Sequence, residues 1–257
     1  MFEPRLALAS LSGESDAAWA AEGPPFAGAA FLGGIALCPD TRDAARDLVA
    51  RGRTEFLPSD PISFVDEQCD RLHAVDLRPA INVRSTEEAQ IARTARVCAD
   101  HGAILEVNAH CRQAEMCDVG SGETLLRDPE RLACYVRTAA ATGVQVSVKV
   151  RAEVDGVDLA VLARRLERAG ADAIHVDAMD TRSVIRDVAG TDLFVIANNG
   201  VRGPDDVREY LEYGADAVSV GRASDDQRIL ERVSAAVTDA VSPRHHSGES
   251  PAVANDK

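Results

Sequence analysis

The chain has 257 residues, which suits one large α/β domain or two small ones, and its apolar share of 46% with only 4% aromatics points to a core of Ala, Val, Leu and Ile. A formal net charge of −14 argues against a surface built to neutralise nucleic-acid phosphates, and no apolar run approaches the ~18 residues of a membrane span. The acid excess, with only two lysines among 28 basic residues, fits a halophilic protein in a salty cytoplasm, where a Debye length of ~3 Å or less would leave the charge uninformative about partners.

The opening MFEPRLALAS carries an early acid and a proline and no secretion-type apolar region, so a cytoplasmic location is expected. Arg5–Leu11 reads as the first strand and Glu14–Ala21 as a short helix. Ala27–Leu37 is a Gly-broken apolar run, the second strand, followed by a helix over Pro39–Arg51. Arg53–Ser59 is irregular and Pro61–His73 an extra helix. Leu77–Val83 is the third strand. Ser85 with Glu88 three residues on has the spacing of a capping box for a helix that stops at Gly102. Ile104–Asn108 is the fourth strand and residues 109–122 a long loop. Asp128-Pro129 opens a helix ending at Gly143, and Val144–Val150 is a β-branched run suited to a strand buried on both faces. The rest alternates regularly: helix Asp158–Ala169, strand Ala173–Val176, helix Thr181–Val188, strand Leu193–Ala197, helix Pro204–Tyr213, strand Ala217–Val220, and a last helix from Asp225 to about Val241.

GADAIHVDAM at Gly170–Met179 and GADAVSVGRA at Gly214–Ala223 repeat one helix-to-strand junction. Eight strand–helix units predict an α/β fold, a single-domain (β/α)8 TIM barrel over residues 1–241. An open doubly wound sheet would want a GxGxxG turn after the first strand, which LSGES lacks. Residues 242–257 read as a disordered polar tail, and His245 and His246 within it receive no role. The six cysteines, at 38, 69, 98, 111, 117 and 134, show no zinc-type spacing, and no metal is expected. Cys98 and Cys134 fall in helical patterns and read as buried small hydrophobes.

Barrel chemistry lies where strands end. Those ends are Ala9–Leu11, Leu37-Cys38, Asn82–Arg84, Asn108–Cys111, Lys149–Arg151, Asp177, Asn199-Gly200 and Gly221-Arg222. Lys149 stands out because the other lysine, Lys257, belongs to the tail. Lysine is a compact, tunable point charge where arginine is a rigid fork, so a composition that keeps one lysine in an apolar run points to a ligand at the strand end. The alternative is a survivor that snorkels to the surface. The glycine-rich turns at Asn199-Gly200 and Gly221-Arg222 suit a phosphate after strands seven and eight. Cys111, on the long loop, is a candidate proton donor or nucleophile; the bland reading is a semi-buried thiol.

Asn108-Ala109-His110-Cys111-Arg112, then Gly120-Ser121-Gly122, Leu125-Leu126-Arg127-Asp128-Pro129 and Val148-Lys149-Val150-Arg151 follow one another at spacings that resemble the tRNA-dihydrouridine synthase family, flavin enzymes with a (β/α)8 barrel. The resemblance implies FMN held by Ala9, Ser10, Asn82, Lys149, Asp177, Asn199, Gly200, Gly221 and Arg222, with Asn108, His110 and Arg151 toward a uracil-containing substrate, possibly tRNA. It implies hydride transfer from flavin N5 to a uracil-like C=C bond with Cys111 protonating the neighbouring carbon, Lys149 beside the flavin N1–C2 edge, and NADPH or a small reductant as electron donor, with no separate nicotinamide site legible. The chain departs from the family pattern. The family's glycine and proline around the cysteine are His110 and Arg112, its His-Gly-Arg after strand six is Asp177-Ala178-Met179, and its Ala-Pro-Met in strand one is Ala9-Ser10-Leu11. One helix and a short tail follow the barrel where the family has a tRNA-gripping helical domain. Two other readings stay open: a flavin enzyme on a free pyrimidine-like small molecule, similar to dihydroorotate dehydrogenases, and a non-catalytic flavin-binding barrel. Nothing in the sequence gives an oligomeric state.

Overall fold

A computed structural model describes residues 1–241; the tail expected from residue 242 lies outside the described residues. Eight strands, β1 (Leu6–Leu8), β2 (Ala29–Ala36), β3 (Arg78–Arg84), β4 (Ile104–Asn108), β5 (Gln145–Arg151), β6 (Ala173–Asp177), β7 (Phe194–Asn198) and β8 (Ala217–Val220), pair in chain order, and β8 closes onto β1. Every pairing is parallel. Around them lie α1 (Ala17–Ala20), α2 (Pro39–Ala50), α3 (Pro61–Arg71), α4 (Glu88–Asp100), α5 (Ala114–Asp118), α6 (Pro129–Ala140), α7 (Leu159–Ala169), α8 (Val184–Val188), α9 (Pro204–Glu212) and α10 (Gln227–Val241). This is a (β/α)8 TIM barrel. No helix among the described residues is long and apolar enough to cross a membrane.

The side chains sort by strand periodicity. One set, including Leu32, Ile81, Leu105, Val146, Val148, Ile174 and Val218, packs outward into the shared core beneath the helices. The other set fills the barrel in layers. Ala7, Ala29, Phe31, Ala80, Ile104, Ile196 and Ala217 plug the N-terminal end with Phe2, and Phe2 meets Phe194 edge-on at 5.4 Å. Above this plug the filling turns polar: Asn82, Glu106, Ser147, His175 and Ser219 are all buried.

The repeated Gly-Ala-Asp phrase has one meaning in both places. Gly170 and Gly214 sit at φ 99° and 98°, where any side chain is strained, and a Cβ on them would fall 3.1 Å and 2.7 Å from the Cβ atoms of Ala140 and Ala189. The aspartate that follows then caps the neighbouring strand. Asp172 Oδ2 accepts from Val146 N at 2.8 Å, and Asp216 Oδ2 accepts from Val195 N at 2.8 Å.

Several expected boundaries move. The first strand is shorter than Arg5–Leu11, because the Ser15 hydroxyl bonds both Leu11 N and Leu11 O and turns the chain out of the sheet. The first helix waits for Asp16, whose side chain caps Trp19 N. The capping box at Ser85 and Glu88 does not form. Ser85 Oγ accepts from Glu87 N, while the Glu88 carboxylate turns to α6 and takes the Thr138 hydroxyl and the Cys134 thiol. Cys134 is therefore a half-buried donor and not a buried hydrophobe, whereas Cys98 is fully buried. The loop expected over residues 109–122 contains α5, and a 3₁₀ turn over Gly122–Arg127 follows it.

Candidate functional site at the C-terminal mouth

Lys149 lies on β5 beside Asn108 of β4 and His175 of β6 in the strand register. It is only 2% exposed. Among the described residues, no hydrogen bond or close ion pair reaches its ammonium, although Glu106 and Asp177 lie within electrostatic reach. Burial pushes its pKa down, and those two carboxylates only partly offset this. A buried charge without a bonded partner is a cost that a structure retains for a reason.

A chain of hydrogen bonds crosses the barrel next to it. Asn108 Oδ1 accepts from the backbone N–H of Cys111 at 3.1 Å and of His110 at 3.3 Å. Asn108 Nδ2 donates to Asn82 Oδ1 at 2.8 Å, and Asn82 Nδ2 donates to Glu106 Oε1 at 2.7 Å. Glu106 Oε2 takes His175 Nδ1–H at 2.8 Å and the Ser147 hydroxyl at 3.2 Å. With the His175 proton on Nδ1 toward the carboxylate, the neutral ring accepts on Nε2 from Ser219 Oγ–H at 2.8 Å; that hydroxyl also lies 3.5 Å from Ala197 O and accepts from Asn198 Nδ2 at 2.8 Å. Burial raises the Glu106 pKa, but the His175 contact and the other donors outweigh it, so the carboxyl is held below its usual range.

The Cys111 loop is clamped from both sides. Cys111 N binds Asn108, and Cys111 O accepts from Glu123 N at 2.8 Å. Gly122, at φ 62°, passes so close that a Cβ there would fall 2.2 Å from Cys111 O. The Cys111 side chain itself is buried against Ala36, Ala44, Ala45, Leu48 and Met116. Arg84, at the end of β3, brings a buried guanidinium within electrostatic reach of this thiol. It is paired with Glu55 at 2.7 Å, both side chains being 3% exposed or less.

The other expected site residues take these places. Ala9 is buried and donates its N–H to Val220 O at 2.8 Å; Ser10 is half-buried beside it. Arg151 is committed to Glu123 at 2.7 Å. Asp177 Oδ1 accepts from Asn199 Nδ2 at 3.0 Å and Met179 N at 3.4 Å. Asn199 (φ 94°) and Met179 (φ 49°) hold left-handed backbone, which non-glycine residues adopt only under constraint. Gly200 is left-handed at φ 68°, and a cavity of about 500 Å³ opens beside it, lined by Met179, Arg182, Asn199, Glu209 and Tyr213. Gly221 faces open space, and Arg222 is exposed on a 3₁₀ turn.

Of six buried side-chain polar atoms without a hydrogen-bond partner among the described residues, four, Arg84 Nε, His110 Nδ1, Ser121 Oγ and Ser224 Oγ, sit at strand ends or on the loops that follow; the other two, Arg42 Nη1 and Gln145 Oε1, do not. Together with the Lys149 charge, these four donors and acceptors fit an anionic, hydrogen-bonding cofactor. Asp177 fits a hydroxyl or N–H donor and would repel a phosphate.

A model of the dihydrouridine synthase family matches residues 54–253. The chain belongs to the dihydrouridine synthase family. An uncharacterized protein of Methanocaldococcus jannaschii is 26% identical over 233 residues, covering 86% of this chain and 89% of that one. The tRNA-dihydrouridine synthase B of Xanthomonas axonopodis pv. citri is 28% identical over 169 residues, 59% of this chain and 51% of that enzyme. The chain thus spans about half the length of that curated synthase. FabK from Thermotoga maritima shares the fold alone, at a TM-score of 0.55 and 17% identity over 91% of this chain and 61% of its own.

Glu106 and His175 are the residues that reading strand ends did not find. The signal was present: a charged residue in ILEVN and a histidine in AIHVD, each at the inward phase of an otherwise apolar strand.

His110 and His175 give a pH prediction. Burial lowers both pKa values, that of His110 far below the ordinary range, with Lys149 and Arg84 adding to the effect at His110. The native state then binds fewer protons than the unfolded chain. The stability from keeping both rings neutral is fully present above about pH 6.5 and is lost as pH falls, at up to about 1.4 kcal/mol per pH unit for each histidine. Thermal melts between about pH 7.5 and pH 5 should show stability falling with pH, and His110→Ala, which removes the more strongly shifted ring, should make the profile shallower. A flat wild-type profile would count against neutral buried rings.

Proposed function

We propose that the protein is a flavin-dependent oxidoreductase of the dihydrouridine-synthase type, with FMN seated at the C-terminal mouth of the barrel. The observation that carries this reading is the buried, partnerless ammonium of Lys149 beside the Cys111 loop in a chain of this family. When bound, FMN supplies the hydride for reduction of a uracil-like C=C bond. Lys149 holds negative charge on the ring, and the turns at Asn199-Gly200 and Gly221-Arg222, with the free Ser224 hydroxyl, hold the phosphate. Ala9, Ser10 and Asn82 border the ring, and Asp177 takes a hydroxyl of the side chain. Cys111 delivers the proton to the carbon next to the hydride acceptor, which requires its thiol to turn from its apolar cluster toward the mouth. Asn108, His110 and Arg151 meet the substrate, and NADPH is the electron donor.

The substrate is a uracil ring, in tRNA or free. The net charge of −14 favours a free pyrimidine-like molecule, and the relatives named as tRNA enzymes favour tRNA. Titrating the protein with FMN in high-salt buffer should give a bound-flavin spectrum near one equivalent. A protein that takes up no flavin would overturn the proposal. Loss of tRNA dihydrouridine in a deletion strain would then assign tRNA as the substrate, and an unchanged content would leave the free molecule or the non-catalytic barrel, which Cys111→Ala activity separates.

A further inference from the structure

Every hydrogen bond in the chain across the barrel points toward Glu106. From one side the donors run Cys111 N–H, Asn108 Nδ2, Asn82 Nδ2; from the other Asn198 Nδ2, Ser219 Oγ–H, His175 Nδ1–H. Asn108 and Asn82 each have one oxygen and one nitrogen to offer along this path, so the orientation of each is set by the next. A carboxylate, which only accepts, is the group that can end two such chains at once. We propose that Glu106 and His175 are positioning residues: through Asn82 and Asn108 they fix the polarity that keeps an amide oxygen, and not an amide nitrogen, under the backbone N–H groups of His110 and Cys111. The inference rests on Cys111 being the reactive thiol of the proposed reaction, but the placement of its loop can be read without flavin or substrate.

The consequence is specific. In Glu106→Gln an N–H₂ group enters the centre of the chain. If it faces Asn82, the Asn82 oxygen must turn to meet it, Asn108 must reverse in response, and the Asn108 nitrogen then opposes the N–H of Cys111. If it faces His175 instead, the ring must move its proton from Nδ1 to Nε2, and the Ser219 hydroxyl gives up its 2.8 Å bond to the ring for a 3.5 Å contact with Ala197 O. The path from Asn198 through Ser219 opposes that change of tautomer, so the first arrangement prevails and unmakes the bond under the loop. Asn82→Asp alone places two carboxylates side by side, but the new carboxylate still accepts from Asn108, so the substitution strains the centre of the path without reversing Asn108. The double variant Glu106→Gln with Asn82→Asp moves the accepting carboxylate by one residue along the path. The carboxylate introduced by Asn82→Asp then accepts from Asn108 and from the new glutamine nitrogen, the glutamine oxygen accepts from His175 and Ser147, and every bond is restored.

The readout is the rate at which iodoacetamide labels each cysteine, followed by peptide mass spectrometry. Glu106→Gln should speed labelling of Cys111 by about tenfold, the opening expected from one unmade buried hydrogen bond, with Cys98 in α4 unchanged as the control for global unfolding; Asn82→Asp, which leaves Asn108 its acceptor, should not. The double variant should return Cys111 to within about threefold of the wild-type rate. In the flavin-loaded enzyme Glu106→Gln should lower kcat more than it raises KM. The proposal is overturned if Glu106→Gln leaves Cys111 labelling unchanged, if Cys98 accelerates in step with it, or if the double variant labels like Glu106→Gln. Should Glu106→Gln not fold, the double variant alone decides, because wild-type labelling of Cys111 is required of it.

Discussion

Replacing Lys149 with methionine should abolish tight flavin uptake and, at the same time, raise the melting temperature of the ligand-free protein. The two effects share one cause. The environment of Lys149 disfavours its charged form: burial dominates, and the opposing pull of Glu106 and Asp177 does not cancel it. Its folded pKa lies below its unfolded value, so at neutral pH the native state carries the cost of a charge it does not satisfy. Methionine fills much of the same volume without that charge. A rise of a few degrees is expected for a chain of this size, at roughly 2–4 °C per kcal/mol. On the ligand side, losing a charge-assisted hydrogen bond should weaken FMN by roughly 10- to 100-fold. Scanning fluorimetry with and without FMN reads both quantities. A variant that melts lower and still binds flavin would make Lys149 a structural residue and remove the main support for the proposed site.

Cys111→Ala should leave flavin binding and the visible spectrum intact while reducing turnover by about 10²- to 10⁴-fold, the usual contribution of a positioned general acid. The substitution is mild for the fold, because the thiol packs among alanines, Leu48 and Met116 and alanine keeps that contact set. Cys117 serves as the control. It lies on the same loop, its thiol approaches Cys111 O at 3.5 Å, and burial raises its pKa, yet the proposal gives it no part in the reaction. Cys117→Ala should retain most activity. Equal turnover in wild type and Cys111→Ala would point to the non-catalytic reading of this barrel, and the present packing of the thiol away from the mouth makes that comparison the informative one.

What could be read in the chain and what could not divide along sequence distance. The eight strand–helix units, the two Gly-Ala-Asp junctions, the polar strand ends, the retained lysine and the spaced motif from Asn108 to Arg151 are patterns within a few turns of chain, and local periodicity and turn chemistry suffice to read them. The resemblance to the dihydrouridine synthase family is carried by the same local pattern. The capping box at Ser85 failed for a non-local reason: Glu88 found Thr138, 50 residues on, where a local rule expects it to fold back. The centre of the site is likewise non-local. Asn82 meets Glu106 across 24 residues, Arg84 meets Glu55 across 29, and Glu106 meets His175 across 69. Each of these polar groups is tolerable in a buried strand only because barrel closure brings its partner to it. Composition could show that Glu106 and His175 interrupt apolar strands; only the closed sheet decides that they face one another, that their hydrogen bonds run in one direction, and that Lys149 is left without a partner.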